Sequence, residues 1–509
     1  GNTTAAVTEA AKTEAETTAA AQTEAGGEKN LVMPSASCVA NLNPLLEGYK
    51  EAAMLNPIYD PLYVIDVNET RYYLADSYEV SEDGMQITVK LKEDLKWHDG
   101  EAITADDMIF TMDVCSDTNN GAGGTNIVIL NDQPVKYEKV DDLTVKVTLP
   151  MASASYADLL GGLTLIPEHV FEGNPSVVSA GEANMKGIGS GPYKVTEFKQ
   201  DEYLLLEKYE DYYMGAPSID KVTFRIISDL SAQEVALMNG EVNFMELANA
   251  PAVAKYEADP NFTVVKYPEG RVNYLAVNKF CETVQDPKVV EAVFAALNRD
   301  EIIAGAYGDG MAESANSIFS NVNTFYDPSV EGYTQDVEKA KQLVKETGLD
   351  SKTLTLYFNS ERVYMKESAQ IIQQQLKNVG INLEVIPLES AGFFEKVFGT
   401  DGDYEFYLNG YGAVGDPDQV VAGMYDGTWG VNLAVSDEVS QLWKDARTVY
   451  TPEERAAIYK QIQIQTRDEL TCYPIAYPNY VFVTTSNIKG ADTIKRTPVF
   501  EDYTKLTME

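Results

Sequence analysis

The fold class is decided by residues 354–386, whose sequence is LTLYFNSERVYMKESAQIIQQQLKNVGINLEVI. The two ends of this stretch, 354–359 and 381–386, are rich in Leu, Ile, Val and aromatic residues, which is typical of buried strands. Between them, 367–378 carries apolar residues at helical spacing, and Gly380 is the glycine that commonly ends a helix. A strand, a helix and a second strand build a mainly parallel sheet with a right-handed crossover. The stretch therefore predicts an α/β protein.

Other segments extend this pattern in both directions. Alternation of apolar and polar residues predicts further strands at 87–91, 143–149, 193–198 and 272–278. Thr104 and Thr451 each stand before an acidic first helical turn and predict helix starts. The buried face predicted for the second of these helices consists of Ala457, Ile458, Ile462, Ile464 and Leu470.

The glycine-rich segment 187–193, GIGSGPY, differs from a phosphate-binding loop. A phosphate loop opens directly into a helix, whereas the residues that follow this segment alternate as a strand. The segment therefore predicts a tight crossing between lobes, where the chain needs the conformational freedom of glycine.

Length, charge and cysteine content limit the class of protein. A chain of 509 residues exceeds what one hydrophobic core usually organises, so two or three lobes are expected. The 79 acidic and 39 basic residues give a formal net charge of −40, which repels nucleic acids. The cysteines lack zinc-site spacing, so neither a zinc site nor a disulfide scaffold is expected, and a single bridge stays open. They are Cys38, Cys115, Cys281 and Cys472.

The residues that common catalytic sites need are scarce in this chain. Its two histidines, His98 and His169, have no metal-binding spacing, and the sequence around His98 predicts a surface turn. No nucleophile elbow and no P-loop motif is present. Neither a metal nor an organic cofactor is expected. With so many acidic residues, a glycosidase-type carboxylate pair stays open but has no specific support.

Two further regions carry predictions of their own. Residues 1–29 consist almost wholly of Ala, Thr, Glu, Gln and Gly, and predict a disordered tether because they bury too little apolar surface to order. Residues 404–412 alternate as a strand and run into Asp416-Pro417, which places Tyr411 at a strand end. Clefts of α/β sheets form at strand ends, and tyrosine suits polar ligands, so a pocket is predicted there.

Residues 74–84, LADSYEVSEDG, and their continuation to residue 107 resemble the bacterial extracellular solute-binding proteins of family 5. These are the large peptide- and nickel-type receptors of ABC importers. The segments 189–193, 286–299 and 416–418 resemble further family motifs in the same order. The resemblance therefore covers nearly all of the chain from residue 30 onward.

This resemblance implies a periplasmic-binding-protein-like fold of the large, three-lobed type II form. Lobe I would be discontinuous, with residues 30–59, 187–273 and 487–509. Lobe II would comprise residues 60–186 and lobe III residues 274–486. The ligand would lie between lobes I and III, which close by hinge motion.

The function implied is the extracytoplasmic substrate-binding component of an ABC importer, without catalytic activity. Its expected partners are the ligand and the permease subunits of the importer, and the protein is expected to be a monomer. A lipidated cysteine before Gly1 would anchor it to the outer face of the cell membrane.

The resemblance also places a ligand site. Its expected residues are Tyr49, Lys50, Asn359, Arg362, Tyr364, Asn409, Tyr411, Asp416 and Trp429. Peptide-binding relatives hold the ligand's α-ammonium group with an aspartate just ahead of the Asp-Pro loop, where this chain has Ala413, Val414 and Gly415. The expected ligand is therefore an oligopeptide held through its backbone rather than a standard dipeptide. An oligosaccharide stacked on Tyr411 and Trp429 is the alternative, and a secreted hydrolase is the third.

Overall fold

The computed structural model describes residues 27–48, 51–66, 69–428, 433–493 and 500–509. The strands of these segments are, in chain order, β1 (Asn30–Ser35), β2 (Tyr63–Ile65), β3 (Thr70–Tyr72), β4 (Ala75–Val80), β5 (Gln86–Leu91), β6 (Ile129–Leu130), β7 (Gln133–Pro134), β8 (Lys136–Asp141), β9 (Thr144–Thr148), β10 (Tyr193–Lys199), β11 (Tyr203–Lys208), β12 (Lys221–Ile226), β13 (Phe244–Glu246), β14 (Phe262–Pro268), β15 (Arg271–Val277), β16 (Ala312–Ser314), β17 (Thr353–Asn359), β18 (Asn382–Leu388), β19 (Phe406–Gly412), β20 (Cys472–Thr485), β21 (Ile488–Lys489) and β22 (Thr507–Met508). The α-helices are α1 (Ala105–Ser116), α2 (Thr125–Val128), α3 (Tyr156–Gly161), α4 (Leu230–Met238), α5 (Ala250–Glu257), α6 (Pro287–Ala296), α7 (Arg299–Ile302), α8 (Val337–Thr347), α9 (Met365–Asn378), α10 (Ser390–Val397), α11 (Pro417–Val420), α12 (Ala422–Tyr425), α13 (Asp437–Arg447) and α14 (Pro452–Asp468). This mixture confirms the predicted α/β class.

Lobes I and II each contain a four-stranded sheet, and one hydrophobic core runs through both. The strand order is β1-β12-β11-β10 in lobe I and β4-β5-β9-β8 in lobe II. Alternate residues such as Leu204 and Leu206 of β11, and Val145 and Val147 of β9, are buried in this common core. The removal of so much apolar surface from water joins the two lobes into one body.

Lobe III is built on a sheet with the order β13-β20-β15-β19-β17-β18. Strand β17 is parallel to β18 and β19, and α9 connects β17 to β18 as the strand–helix–strand pattern predicts. Strand β20 is 14 residues long. Its first half pairs with β15, and its second half pairs with β13 and β14. Since β13 and β14 fall within the predicted lobe I, β20 links lobe III to lobe I, and the exact lobe boundaries stay predictions.

The chain returns from lobe II to lobe I through the predicted glycine-rich crossing. A Cβ atom on Gly189 would lie 2.0 Å from the carbonyl oxygen of Ile58, and one on Gly191 would lie 2.7 Å from that of Pro57. The Gly191 N–H donates to the Ile58 carbonyl at 2.8 Å. These positions need glycine because neighbouring backbone occupies the space of a side chain.

His98 holds this crossing in place from the turn predicted around it, in which the Gly100 N–H donates to the Trp97 carbonyl at 2.9 Å. Its Nδ1 accepts a hydrogen bond from the Gly189 N–H at 3.1 Å, and its Nε2 lies 2.9 Å from the Gly191 carbonyl oxygen. Burial lowers the pKa of His98 to about 4, so the ring is neutral at physiological pH. The predicted turn is present, but its histidine is partly buried because the glycine-rich segment packs on it, which the local sequence does not show.

Two helix predictions have different outcomes. Thr104 forms a complete capping box with Asp107 at the start of α1, as predicted. Thr451 precedes α14 but makes no side-chain capping bond, because its hydroxyl donates to the Glu454 carboxylate. Of the buried face predicted for α14, Ile462 is fully buried and Ile458 and Ile464 are partly buried, whereas Ala457 is exposed. The other buried residues of the helix are Arg455, Tyr459, Gln463 and Thr466.

Polar residues replace apolar ones on the buried face of α14 because they have buried partners. Arg455 pairs with Asp416, and the Gln463 side chain accepts a hydrogen bond from the Ser317 hydroxyl at 2.7 Å.

All four cysteines are free thiols, so the bridge that the sequence left open is not formed. Across the described segments, no helix is long and apolar enough to cross a membrane.

Candidate ligand-binding site

The predicted site residues of lobe III gather at one edge of its sheet. Strands β17 and β19 run parallel, with Leu356, Tyr357 and Phe358 opposite Phe406, Tyr407 and Leu408. Parallel strands end at the same edge, so the ends of β17 and β19 bring Asn359 and Asn409 to one side of the lobe. The sequence predicted the part of this edge at the end of the strand 404–412, and the family resemblance added Asn359.

Asn359 shapes the turn that leaves β17. Its side-chain oxygen accepts from the Glu361 N–H at 3.0 Å, and its amide nitrogen donates to the Ser390 hydroxyl at 3.0 Å. The residue is buried. Arg362, three positions later, is exposed, and its guanidinium has no hydrogen bond or ion pair within the described residues. Asn359 therefore positions a turn that presents Arg362 to solvent.

Tyr364 follows in a strained conformation. Its φ of 72° lies in the left-handed region, which is uncommon for residues other than glycine and occurs often at functional sites. Its ring stacks on Tyr307 with centroids 4.2 Å apart. Tyr307 ends a π-helical turn, Ile303–Tyr307, another feature that is frequent at functional sites. Two irregular backbone segments thus meet in one aromatic pair.

Asn409 and Tyr411 lie in the last part of strand β19. Both are partly exposed, and Asn409 is hydrogen-bonded to Tyr274. The Tyr411 hydroxyl donates to the Ile318 carbonyl at 2.6 Å and lies 3.0 Å from the Tyr425 hydroxyl. The Tyr411 side chain is therefore fixed, and a ligand would meet a rigid aromatic surface.

The backbone of β19 is paired on one side only beyond Leu408. Its pairing with β17 ends at Phe358 and Leu408, whereas its pairing with β15 continues to Arg271 and Gly412. Residues 409–412 thus have no strand neighbour on the β17 side among the described residues. An unpaired strand edge offers N–H and C=O groups to an extended chain.

The sequence-based site omitted residues that approach this edge from β15. A Cβ atom on Gly410 would lie 2.2 Å from Asn273 Oδ1 and 3.0 Å from Arg271 Nη2, so these two side chains lie across the strand. Asn273 also donates to the Tyr307 hydroxyl at 2.7 Å. Asn273 lay within the predicted strand 272–278, and Arg271 directly preceded it. Their positions became meaningful only once β15 was known to neighbour β19.

Asp416 is the one described candidate that lies apart from this set. Both of its carboxylate oxygens accept hydrogen bonds from Arg455, at 2.7 and 3.0 Å, and the pair is buried. Its carboxylate is therefore already neutralised within lobe III. The remaining candidates, Tyr49, Lys50 and Trp429, lie outside the described residues.

The site is suited to binding through neutral groups and arginine. Burial raises the pKa of Tyr364 and, more strongly, of Tyr307 and Tyr411, so all three hydroxyls stay protonated at neutral pH. Amide groups of Asn273 and Asn409 and the guanidinium groups of Arg271 and Arg362 complete the set. In the described part of the chain, no three potential ligands come together to hold a metal ion.

Comparison with known proteins identifies the family and the fold of the chain. Residues 69–432 match the family model of bacterial extracellular solute-binding proteins, family 5. The structure of AppA from Clostridium difficile, described as a peptide-binding protein, is 35% identical, with a TM-score of 0.85 and coverage of 95% of this chain and 100% of that one. The ABC transporter substrate-binding protein CtaP from Listeria monocytogenes is 33% identical, with a TM-score of 0.87 and coverage of 94% and 99%.

A comparison of sequences gives a further relative that matches nearly the whole chain. The dipeptide-binding protein of Escherichia coli (strain K12) is 27% identical over 499 residues, which covers 91% of this chain and 92% of that protein. The expected periplasmic-binding-protein-like fold is confirmed by the structural matches. The chain belongs to the bacterial extracellular solute-binding proteins of family 5.

Proposed function

We propose that this chain is the extracytoplasmic substrate-binding component of an ABC importer and that it captures oligopeptides in a cleft between lobes I and III. The observation that carries the proposal is the unpaired edge of β19 at residues 409–412. An extended peptide that adds to such an edge is held by main-chain hydrogen bonds, which every sequence can make. The relatives from Escherichia coli and Clostridium difficile, described as peptide-binding, support this ligand class.

The charged groups near the edge favour a particular orientation. Arg362 is exposed at the end of β17, and we propose that it takes the carboxylate of a bound peptide. At the position of the family's ammonium-binding aspartate, Ala413 is fully buried and carries no charge. Recognition would then depend more on the peptide backbone than on its amino terminus, which favours oligopeptides over dipeptides.

Delivery to a permease, the absence of catalysis, a monomeric state and a lipid anchor complete the proposal. The low-complexity composition of residues 1–29 supports a tether between an anchor and the ordered lobes. Labelling of the full-length precursor with radioactive palmitate in its host tests the anchor, and a protein that stays unlabelled contradicts it. Light scattering of the purified chain tests the monomeric state.

Calorimetric titration with hexa-alanine tests backbone recognition, because this peptide offers main-chain groups and no functional side chains. We expect binding, a rise in the melting temperature, and a smaller radius of gyration in solution scattering as the cleft closes. Hexa-alanine N-methylated at its central amides is the matched control and should bind at least tenfold more weakly, since each lost hydrogen bond contributes about 1 kcal/mol. Equal affinity for both peptides contradicts the strand-edge mode.

Substitutions locate the site within lobe III. The double variant Arg362→Ala, Tyr411→Ala should lose the melting shift produced by hexa-alanine. Lys345→Ala, an exposed charge on α8 of the same lobe, should keep it. An unchanged shift in the double variant excludes this edge as the site. A melting shift from oligosaccharides alone favours the sugar-binding alternative, and cleaved peptide or sugar in the mass spectrum favours the hydrolase.

A further inference from the structure

A polar contact between lobe II and lobe III lies apart from the strand-edge site. The Ser155 hydroxyl, in lobe II, donates to Asp418 Oδ2 at 2.9 Å and accepts from Gln419 Nε2 at 2.7 Å, both in lobe III. Asp158 Oδ2 accepts from the Asp416 N–H at 3.2 Å, and the Ala154 N–H donates to a lobe III carbonyl at 3.0 Å. We call this set of contacts, between residues 154–158 of lobe II and residues 416–419 and the Arg447 carbonyl of lobe III, the latch.

The lobe II half of the latch uses a residue that would otherwise serve its own helix. Ser155 is the N-cap residue of α3, a position where serine usually caps the backbone with its hydroxyl. Here the hydroxyl makes no capping bond, although the residue is only 1% exposed. The hydroxyl instead bonds to Asp418 and Gln419 of lobe III. The contact between the lobes therefore determines the side-chain conformation of Ser155.

The lobe III half is fixed without help from lobe II. Arg455 holds both oxygens of Asp416. Arg447 donates to Asp418 at 2.6 Å and to Asp426 at 2.7 Å. Charge-assisted pairs of this kind set the positions of the acidic side chains before a partner arrives. The loop is therefore a preformed acceptor for Ser155.

The latch is connected to the ligand site by a short, well-held segment. The loop follows β19, and the Ala413 between them is tied on both sides of its peptide unit. Its N–H donates to the Gly270 carbonyl at 2.7 Å. Its carbonyl accepts from Ser320 at 2.8 Å and from Asn323 at 3.1 Å. Ala413 therefore holds the end of β19 and the start of the loop in a defined relation.

The two faces of the latch are not packed like a permanent core. A cavity of about 270 Å³ lies between them, lined by Ile65, Tyr78 and Ala157 of lobe II and by Phe325, Tyr450 and Arg455 of lobe III. Polar contacts around a void contribute less than a continuous apolar core and are typical of surfaces that separate and rejoin.

We infer that lobe II is a second closing surface of the receptor: Ser155 and Asp158 dock on the loop Asp416–Gln419 when the cleft closes, and so act as positioning residues for the ligand-binding edge of β19. The inference rests on the proposed function. In addition to the proposed function, lobe III would close against both lobe I and lobe II. Contacts between lobe II and lobe III, which do not involve the peptide, would then help to retain the bound peptide.

Dissociation kinetics of hexa-alanine test the inference. In the double variant Ser155→Ala, Asp158→Ala, the dissociation rate should rise about tenfold while the association rate changes little, since lost contacts of the closed state act on dissociation. Asp158→Asn in place of Asp158→Ala should recover part of the loss, because the amide oxygen still accepts the Asp416 N–H. Ser176→Ala is the matched control, since Ser176 makes a 2.9 Å bond to Asp117 within lobe II. An unchanged dissociation rate in the double variant overturns the latch.

Hydrogen exchange provides a readout that needs no ligand. The same double variant should speed the exchange of backbone amides in residues 413–420 of lobe III, which Ser176→Ala leaves unchanged. If hexa-alanine does not bind the wild-type protein, the proposed function has failed, and the exchange result alone decides the latch. Unchanged exchange in residues 413–420 then overturns it.

Discussion

Lobe II meets its two neighbours in physically different ways. Toward lobe I it shares one hydrophobic core, with backbone so close that Gly189 has no room for a side chain. Toward lobe III it makes hydrogen bonds around a cavity of about 270 Å³. Apolar burial accumulates over a large area, whereas a hydrogen bond adds about 1 kcal/mol, or about 1.5–3 kcal/mol where a carboxylate accepts it. We therefore infer that the first junction is permanent and the second is separable.

This contrast explains how one insertion can serve a moving receptor. A lobe that was loose on both sides would add only flexibility, and a lobe fixed on both sides would prevent the cleft from opening. In the closing motion that we infer, lobe II moves with lobe I because the two share one core. Its polar face then meets lobe III only when the cleft is closed.

The largest expected effect concerns the buried pair that shapes the lobe III face of the separable junction. Arg455→Gln should lower the free energy of unfolding by about 3–5 kcal/mol, because it leaves the buried Asp416 carboxylate without its cation. Chemical denaturation measures the loss. Lys139→Gln, which removes an exposed pair in lobe II, is the control and should show no measurable change. A small effect of Arg455→Gln means that the loop is not preformed.

The next effect concerns the permanent junction. Gly189→Ala places a methyl group 2.0 Å from the Ile58 carbonyl oxygen, and the chain must shift to admit it. We expect a loss of about 3 kcal/mol in the free energy of unfolding. Gly392→Ala, in helix α10, where no atom lies within 4 Å of the new Cβ, should stabilise by about 0.5–1 kcal/mol. Equal effects in urea denaturation contradict the close approach.

The sequence predicted the elements of this molecule better than the junctions between them. The unit 353–388 and the capping box at Thr104 depend on neighbours along the chain, so local patterns sufficed. Arg455 pairs with Asp416, 39 residues away, and His98 bonds to Gly189, 91 residues away. The periodicity of the sequence does not indicate contacts between such distant segments. The prediction of a wholly apolar buried face on α14 failed for this reason, although its Ile462 is buried.

The candidate site shows the same division. Asn359 ends strand β17 of the predicted strand–helix–strand unit, and Asn409 and Tyr411 lie in strand β19, which was predicted separately from the alternation of residues 404–412. Tyr364, which precedes helix α9, was expected from the family resemblance alone. Arg271 and Asn273 escaped notice because β15 becomes the neighbour of β19 only through the order of strands in the sheet. Strand order depends on long-range pairing, which a single sequence does not display.

A pH effect distinguishes the junctions further. Asp60 lies at the junction of lobes I and II, where its Oδ2 accepts from the Tyr212 and Tyr213 hydroxyls, both at 2.6 Å. Burial raises the pKa of Asp60 to about 7, and the charge of Asp502 also raises it. The hydrogen bonds from the two tyrosine hydroxyls and the charge of Lys92 lower it in part. The folded protein thus binds this proton more tightly than the unfolded chain, so the stability that Asp60 contributes falls as the pH rises from about 4 to about 7.

Asp60→Asn tests this dependence. Between pH 5 and pH 8 the wild-type protein should lose about 2–3 kcal/mol more of its free energy of unfolding than the variant, because the amide oxygen of the introduced side chain accepts the same hydroxyls without titrating. Urea denaturation at the two pH values gives the difference. Parallel pH profiles for the two proteins contradict a titrating group at this junction.

The smallest effect compares one buried hydroxyl from each junction. Tyr209 in lobe I donates to the Trp97 carbonyl in lobe II at 3.0 Å, so Tyr209→Phe should lower the free energy of unfolding by about 1 kcal/mol. The Tyr450 hydroxyl, beside the cavity of the lobe II–III junction, is buried without a partner among the described residues. Its removal in Tyr450→Phe breaks no bond between described residues and relieves the burial of a polar atom, so stability should stay level or rise slightly. Thermal melts of both variants at one pH measure the difference. An equal loss of stability in the two variants means that the Tyr450 hydroxyl has a hydrogen-bond partner, and that the two junctions resemble each other more than their hydrogen bonds indicate.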